Sequence, residues 1–226
     1  MKTSNKLLIA FFTIGLLTLI GANVALRKEY DKINFSDPFY GLTSVSIKPF
    51  RVLKLEGNSA GLVSVQTGKV SEIRLPDKDR DLFSYRLNGD TLVFSYKPKS
   101  VPWQSKANQY FDAAPAAVIL TPKLETLLTT RVSCNLNQLT ADQLQIVQDN
   151  SGILLTNSSI GKLTVLDQKG SELHTKPTNR VGNATVVSRD SSVFMVERDI
   201  FGSLTLETDS LGKVTIPGGL LKKLKP

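Results

Sequence analysis

The sequence predicts an all-β fold, a single-stranded β-solenoid that follows one N-terminal transmembrane helix. Three observations lead to this prediction: an uncharged apolar run near the N-terminus, short apolar alternations that recur about every ten residues, and a likeness between alternate segments that gives a period of about twenty. A solenoid whose coils carry two strand types produces such a doubled period, since like strands must stack on one another. A β-sandwich is the alternative fold.

The apolar run extends from Leu7 to Leu26 and contains no charged residue, while Lys6 precedes it and Arg27 follows it. A helix of this length is about 30 Å long, which matches the hydrocarbon core of a bilayer. A cleaved secretory signal is the alternative, but small residues are poorly placed for cleavage, so we favour an uncleaved anchor. Both alternatives export the rest of the chain.

This anchor divides the sequence. We expect residues 1–6 to be a cytoplasmic tail, residues 7–26 to contact the lipid bilayer, and residues 27–44 to form a membrane-proximal segment. The solenoid-like domain then covers residues 45–216 and is placed outside the cytoplasm, in the periplasm, as a single-pass membrane protein. The basic segment 217–226 is expected to cap the last coil.

Apolar residues recur at positions i and i+2, the alternation of a strand with one buried face. In the first half these apolar residues form the pairs Leu53/Leu55, Val63/Val65, Ile73/Leu75, Phe83/Tyr85 and Leu92/Phe94. In the second half the inward positions start at Leu124, Cys134, Leu144, Ile153, Leu163, Leu173, Ala184, Val193, Leu204 and Val214. Three similar segments, GKLTV, GNATV and GSLTL, begin at Gly161, Gly182 and Gly202 and set the longer period.

Stacked coils would align the outward residues in ladders. We expect Thr164, Thr185 and Thr205 on one face, and Leu154, His174, Phe194 and Thr215 on the other. The apolar ladder is a candidate interaction surface, because soluble proteins seldom expose such a row. The alternative is that the N-terminal strands or the loop with Trp103 cover it.

A break between the two halves, residues 97–117, contains three prolines and the only tryptophan, Trp103. We expect a long loop whose aromatic residues cover an open part of the core. A binding loop is the alternative, so Trp103 joins Leu154, His174 and Phe194 as a possible interaction residue.

Composition restricts the chemistry. The 226 residues are 41% hydrophobic, enough to close a core, and the formal charge of +8 is scattered instead of clustered. We therefore expect no nucleic-acid partner. The only cysteine, Cys134, cannot form an intrachain disulfide or a zinc site and is expected in the core. With one histidine besides, we expect no metal and no cofactor.

From Phe50 to Tyr96 the segments FRVLKLEGNSAGLVSVQTGKVSEIRL and RLNGDTLVFSY resemble the head-GIN-type "putative adhesin" domains of bacterial cell-envelope proteins. The resemblance extends over most of residues 45–216. It implies an exported N-terminus and solenoid-like repeats. The family has no agreed catalytic residues, so none can be carried over to this chain. The insertion at 97–117 and the retained anchor depart from the common pattern.

Two enzymatic alternatives remain. The GNSAG segment, Gly57 to Gly61, fits a nucleophile elbow with Ser59, but a strand follows where the mechanism requires a helix. Asp149, Asp190 and Asp209 lie at matching turns, where a carbohydrate-active β-helix enzyme would place clustered carboxylates; we interpret them as turn formers. We expect no catalysis, but a structural or adhesin-like module whose partner is an unknown envelope protein or glycan.

Overall fold

The computed structural model describes residues 3–34, 36–37, 39–58, 61–97 and 111–223. These residues fall into two compact units, Met1–Gly41 and Leu42–Pro226. The first unit contains helix α1, Thr3–Tyr30, in which no residue is buried. The helix includes the predicted span 7–26 and is long and apolar enough to cross a membrane.

The second unit consists mainly of strands. They are β1 Leu42–Ser46, β2 Val52–Glu56, β3 Leu62–Thr67, β4 Glu72–Pro76, β5 Phe83–Asn88, β6 Thr91–Tyr96, β7 Ala117–Thr121, β8 Thr126–Thr130, β9 Ser133–Asn137, β10 Thr140–Asp149, β11 Gly152–Thr156, β12 Ser159–Gln168, β13 Glu172–Thr175, β14 Arg180–Ser188, β15 Val193–Val196, β16 Phe201–Thr208 and β17 Lys213–Thr215. A 3-10 helix, Asp77–Leu82, precedes β5, and a short helix α2, Gly218–Leu221, follows β17.

From β8 onward the chain alternates between two sheets. Sheet A has the order β1-β4-β7-β3-β9-β11-β13-β15-β17, and sheet B has the order β16-β14-β12-β10-β8-β2-β6-β5. From β10 onward, each strand pairs in parallel with the strand two places earlier, so that Leu163, Ala184 and Leu204 are aligned on neighbouring strands. The β-solenoid prediction is confirmed, because an antiparallel β-sandwich does not wind in this way.

The N-terminal end is not built from successive coils. Strands β2 and β3 pair in parallel with β8 and β9 on one side, and with β6 and β7 on the other. Beyond these, β5 and β4 run antiparallel to β6 and β7, and β1 pairs with β4. The period of ten therefore located the strands correctly but not their order. Tyr85 on β5, predicted to point inward, is 43% exposed.

The core lies between the two sheets and consists of inward side chains that alternate along each strand. Its members include Leu53, Val63, Phe94, Leu127, Ile146, Ile153, Leu163, Leu173 and Val186. Cys134 is fully buried among them, and burial raises the pKa of its thiol, which confirms the prediction of a core residue. Leu220 of α2 joins the same cluster.

The three repeated glycines lie where the long strands of sheet B bend. Ile160 pairs with Val181 and Lys162 pairs with Asn183, whereas Gly161 and Gly182, which lie between them, are not paired with each other. A Cβ atom on Gly161 would lie 2.6 Å from the carbonyl oxygen of Asp142, and one on Gly202 would lie 2.7 Å from that of Gly182. The glycines are required here because backbone of the neighbouring coil occupies the space of a side chain.

One predicted ladder residue points the other way. Phe194 pairs with Leu173 and is fully buried, while Met195 is aligned with His174 on the outer face. The expected outward position of Phe194, and the inward one of Val193, are therefore wrong. The four apolar residues of β15 show no alternation, and the turn at 176–179 is longer than the turn at 157–158, which shifts the register by one residue.

Replacing Gly182 by Ala is expected to lower the free energy of unfolding by about 1–3 kcal/mol, because the new methyl group would meet the carbonyl oxygen of Gly161. Urea unfolding of the full chain in detergent measures this loss. Gly219→Ala is the matched control, since no atom beyond its own helix lies within 4 Å of its would-be Cβ. Equal stability of Gly182→Ala and the wild type would contradict the close stacking.

The register of β15 has its own test. Phe194→Ala should cost about 3–5 kcal/mol, as for other buried aromatic residues, whereas Met195→Ala should cost about 1 kcal/mol or less. Both losses are read from urea midpoints of the full chain. The outward assignment of Phe194 would be restored if the Met195 variant were the less stable of the two.

Candidate functional site

The outer face of sheet A carries the first candidate surface. Leu154, His174, Met195 and Thr215 are in register on β11, β13, β15 and β17. The Nε2 atom of His174 lies 2.8 Å from Oε1 of Glu197, and Nζ of Lys176 donates to the same oxygen over 2.6 Å. The hydrogen bond from Lys176 lowers the pKa of the Glu197 carboxyl against a smaller opposing effect of burial. The predicted apolar ladder is thus bordered by charged groups.

Part of this face is covered. Leu154 is only 5% exposed, and Leu62, Val118 and Leu120, which also point outward from sheet A, are buried. The ring of Phe111 lies 6.3 Å from the ring of His174, centroid to centroid. Further along, the amide of Ala116 donates to the carbonyl of Leu62 on β3 over 2.7 Å.

The ring contact places Phe111, at the end of the insertion, beside His174 on the outer face of β13. His174 is aligned with Leu154 on the neighbouring strand. This agrees with the covering alternative at Leu154. Trp103, the other predicted interaction residue, lies outside the described residues, so its role stays a prediction.

Sheet B presents two regular rows on its outer face. The first, the hydroxyl row, follows five neighbouring strands and consists of Thr126, Gln145, Thr164, Thr185 and Thr205. It includes the predicted threonine ladder, which is confirmed and extended toward β8. All five side chains are exposed or half-buried.

Beside it lies the aliphatic row, Leu128, Val147, Leu166 and Val187, on β8, β10, β12 and β14. These residues point away from the core and are half-buried. The row is not evident from the sequence, because Leu166 and Val187 directly follow the inward residues Val165 and Val186. An apolar pair of that kind hides the alternation from which inward and outward positions are inferred.

A groove of about 790 Å³ begins where the hydroxyl row begins. It forms because β10 starts with an arm, Thr140–Gln143, that has no counterpart on β8. Lys162 and the segment Pro122–Thr126 complete its walls, and Gln145 and Thr164 of the row line it too. We call it the corner groove.

Charges around the corner groove are balanced. Nζ of Lys123 lies 2.7 Å from Oε1 of Glu125, and Arg51 approaches the second oxygen of the same carboxylate at 3.6 Å. The hydrogen bond from Lys123 lowers the pKa of Glu125. Asp142 and Lys162 add one charge of each sign. The groove therefore presents hydroxyl and amide groups, and its charged residues produce no strong electrostatic potential of either sign.

Four inward polar residues, which the apolar alternation did not predict, form a column on the inner face of sheet B. Thr129, Gln148, Asp167 and Ser188 are aligned on β8, β10, β12 and β14 and are at most 2% exposed. Nε2 of Gln148 donates to Oδ1 of Asp167 over 2.5 Å. Each member has one side-chain oxygen without a hydrogen-bond partner among the described residues. Burial raises the pKa of Asp167 to about 7, against the hydrogen bond from Gln148.

The residues of the enzymatic alternatives are placed differently. Ser59 lies outside the described residues. The carboxylate of Asp209 accepts hydrogen bonds from the backbone N–H groups of Asp190, Leu211 and Gly212, as expected of a turn former. Asp149 pairs with Lys169 at 2.6 Å. In the described part of the chain, no group of three or more His, Cys, Asp or Glu residues is arranged to hold a metal ion.

Comparison with solved structures identifies bacterial neighbours of low identity. A putative adhesin from Bacteroides fragilis is 16% identical, with 79% of this chain and 98% of that chain covered and a TM-score of 0.41. A putative adhesin from Parabacteroides merdae is 11% identical, with 78% of this chain and 95% of that chain covered and a TM-score of 0.35. A putative lipid binding protein from Parabacteroides distasonis is 10% identical, with 77% of this chain and 92% of that chain covered and a TM-score of 0.29.

No protein-family profile matches the chain. No curated protein matches it either. The structural neighbours include putative adhesins, the class named by the sequence resemblance, while membership of the head-GIN family stays a prediction.

The buried carboxyl of Asp167 should make stability depend on pH. Its pKa of about 7 lies above the ordinary value of 3.8, so the folded state holds a proton that the unfolded state releases between these values. The free energy of unfolding should therefore fall as pH rises from 4 to 7, by about 4 kcal/mol at most, and then level off. Urea unfolding of the wild type and Asp167→Asn at pH 5 and pH 8 measures the difference.

Asp209→Asn provides the control. Hydrogen bonds from backbone N–H groups, that of Asp190 foremost, lower the pKa of Asp209, so this carboxyl titrates below the range tested. The control should retain the loss of stability between pH 5 and pH 8, and Asp167→Asn should lack it. An unchanged pH dependence in Asp167→Asn would show that this carboxyl is not the group responsible.

Proposed function

We propose that this protein is a membrane-anchored interaction module whose solenoid domain lies outside the cytoplasm. The observation that carries the proposal is the outer face of sheet B, where a hydroxyl row and an aliphatic row run side by side across neighbouring strands. Outward-facing, half-buried aliphatic side chains in a continuous row are typical of a contact surface. Solenoids use extended surfaces of this kind to bind their partners.

Helix α1 supports the anchoring. Its 28 residues give a length of about 42 Å, more than the hydrocarbon core of a bilayer requires. Its apolar side chains are exposed, as expected for a helix that meets lipid instead of protein. In this proposal residues 1–6 stay in the cytoplasm, residues 7–26 span the membrane, and the domain from Leu42 onward faces the periplasm.

Binding without catalysis is the activity that the surface favours. A glycoside hydrolase would need a protonated carboxyl as its general acid, and the corner groove holds two carboxyl groups, those of Glu125 and Asp142. The hydrogen bond from Lys123 keeps the first of them ionised. We therefore favour an adhesin-like module over an exported carbohydrate-active enzyme, with an envelope protein or a glycan as partner.

The placement of the chain can be tested with a C-terminal alkaline phosphatase fusion in a bacterial host. The wild-type fusion should be active, because the reporter folds only after export, and it should remain in the membrane after carbonate extraction. Arginine at both Leu16 and Leu17 should abolish activity, since each charge at the centre of a span costs about 2.5–3.5 kcal/mol. Arginine at Ser4 and Asn5, before the apolar run, is the control.

Two results would contradict this placement. An inactive wild-type fusion in the soluble fraction would show that the domain is neither exported nor anchored. An active fusion whose N-terminal residue lies beyond Ala25 would show a cleaved signal, which leaves the exported domain but removes the anchor.

A further inference from the structure

We infer that the outer face of sheet B binds a linear, uncharged polysaccharide, which lies along the hydroxyl row with one end in the corner groove. The inference rests on the proposed function, since it names the partner of the exported surface. It starts from the shape of the site. Thr126, Gln145 and Thr164 belong to the row and also line the groove, so the two form one continuous track.

The track repeats itself. From Thr126 to Thr205 it crosses five parallel strands in register, about 19 Å at the usual strand spacing. On the first four strands a ligand aligned with the stacking direction meets the same pair of groups, a hydroxyl or amide on one side and an aliphatic group on the other; on β16 the residue aligned with Val187 is Glu207. Successive sugars of an extended polysaccharide are separated by a distance similar to the spacing of the strands. A polymer with this repeat fits the row better than a compact ligand does.

The chemistry of the two rows matches the two kinds of surface that a sugar ring presents. Threonine hydroxyls and the Gln145 amide both donate and accept hydrogen bonds, as the hydroxyl groups of a sugar do. Leu166 and Val187 provide apolar contact for the C–H groups of the ring face. Neither row alone would recognise a sugar, but the register of the strands keeps both rows at a fixed separation.

The charges favour an uncharged polymer. The hydroxyl row contains no charged residue from Thr126 to Thr205. At the groove, Lys123 is paired with Glu125, and Asp142 offsets Lys162. An anionic polymer would require a surplus of basic groups along its path, which the track does not provide.

The experiment uses the purified full chain in a detergent without a sugar head group, since maltoside or glucoside detergents would compete. Cellohexaose, chitohexaose and maltohexaose are titrated by isothermal calorimetry, with dextran sulfate as the anionic comparison. At least one neutral hexasaccharide should bind. Thr185→Arg should weaken its binding tenfold or more, because a long charged side chain would block the middle of the track.

Thr215→Arg is the matched control, since it adds the same charge at an outward threonine of sheet A and should change the affinity less than twofold. Thr185→Val removes only the hydroxyl group and suits a strand, so it keeps the test valid if the arginine variant fails to fold. We expect this variant to lose threefold to tenfold in affinity. Circular dichroism of each variant verifies its fold.

Three results would overturn the inference. The first is that no neutral hexasaccharide binds; the second is that only dextran sulfate binds; the third is that Thr185→Arg and Thr215→Arg weaken binding equally. If the wild type instead forms dimers that Thr185→Arg dissociates, and no hexasaccharide binds, the surface serves a second copy of the chain. The location of the chain is measured separately by the fusion assay, so failure here leaves the proposed export intact.

Discussion

The parallel register between successive coils is the constraint on which the rest of this structure depends. Because each strand hydrogen-bonds to its equivalent in the next coil, one residue type placed outward at a given position recurs about every 4.8 Å. The hydroxyl row, the aliphatic row and the buried polar column all follow from that repetition. The same constraint brings backbone so close at the bend of the long strands that Gly161, Gly182 and Gly202 have no room for a side chain.

Stacking also determines where polar groups can be tolerated inside the protein. A buried carboxyl is ordinarily costly, and the register offsets part of the cost of Asp167 by placing Gln148 beside it, from which it accepts a hydrogen bond. Burial moves its pKa close to neutrality, so the uncharged form is favoured at mildly acid pH. On the outside, the same ladders give sheet B two regular rows, whereas on sheet A the ring of Phe111 lies beside His174.

The sequence was sufficient for the solenoid and for most strand positions, because the period of twenty reflects coil length directly. It was insufficient where alternation disappears. The run Val193–Val196 is apolar throughout, so its inward residues, Phe194 and Val196, could be assigned only from the structure. Likewise, Leu166 and Val187 follow inward valines, and the aliphatic row they belong to was overlooked. The order of strands before β8 depends on contacts distant in sequence, on which a local period carries no information.

That early strand order has a consequence for how the chain acquires its structure. The winding formed by β2 and β3 lies between β6–β7 and β8–β9, so its two neighbours are both synthesised after it. Until they arrive, both edges of this winding have unpaired backbone groups, which readily pair with other chains. If the domain crosses a membrane with its N-terminal strands first, a chaperone that binds the exported chain would prevent such pairing until the later strands arrive.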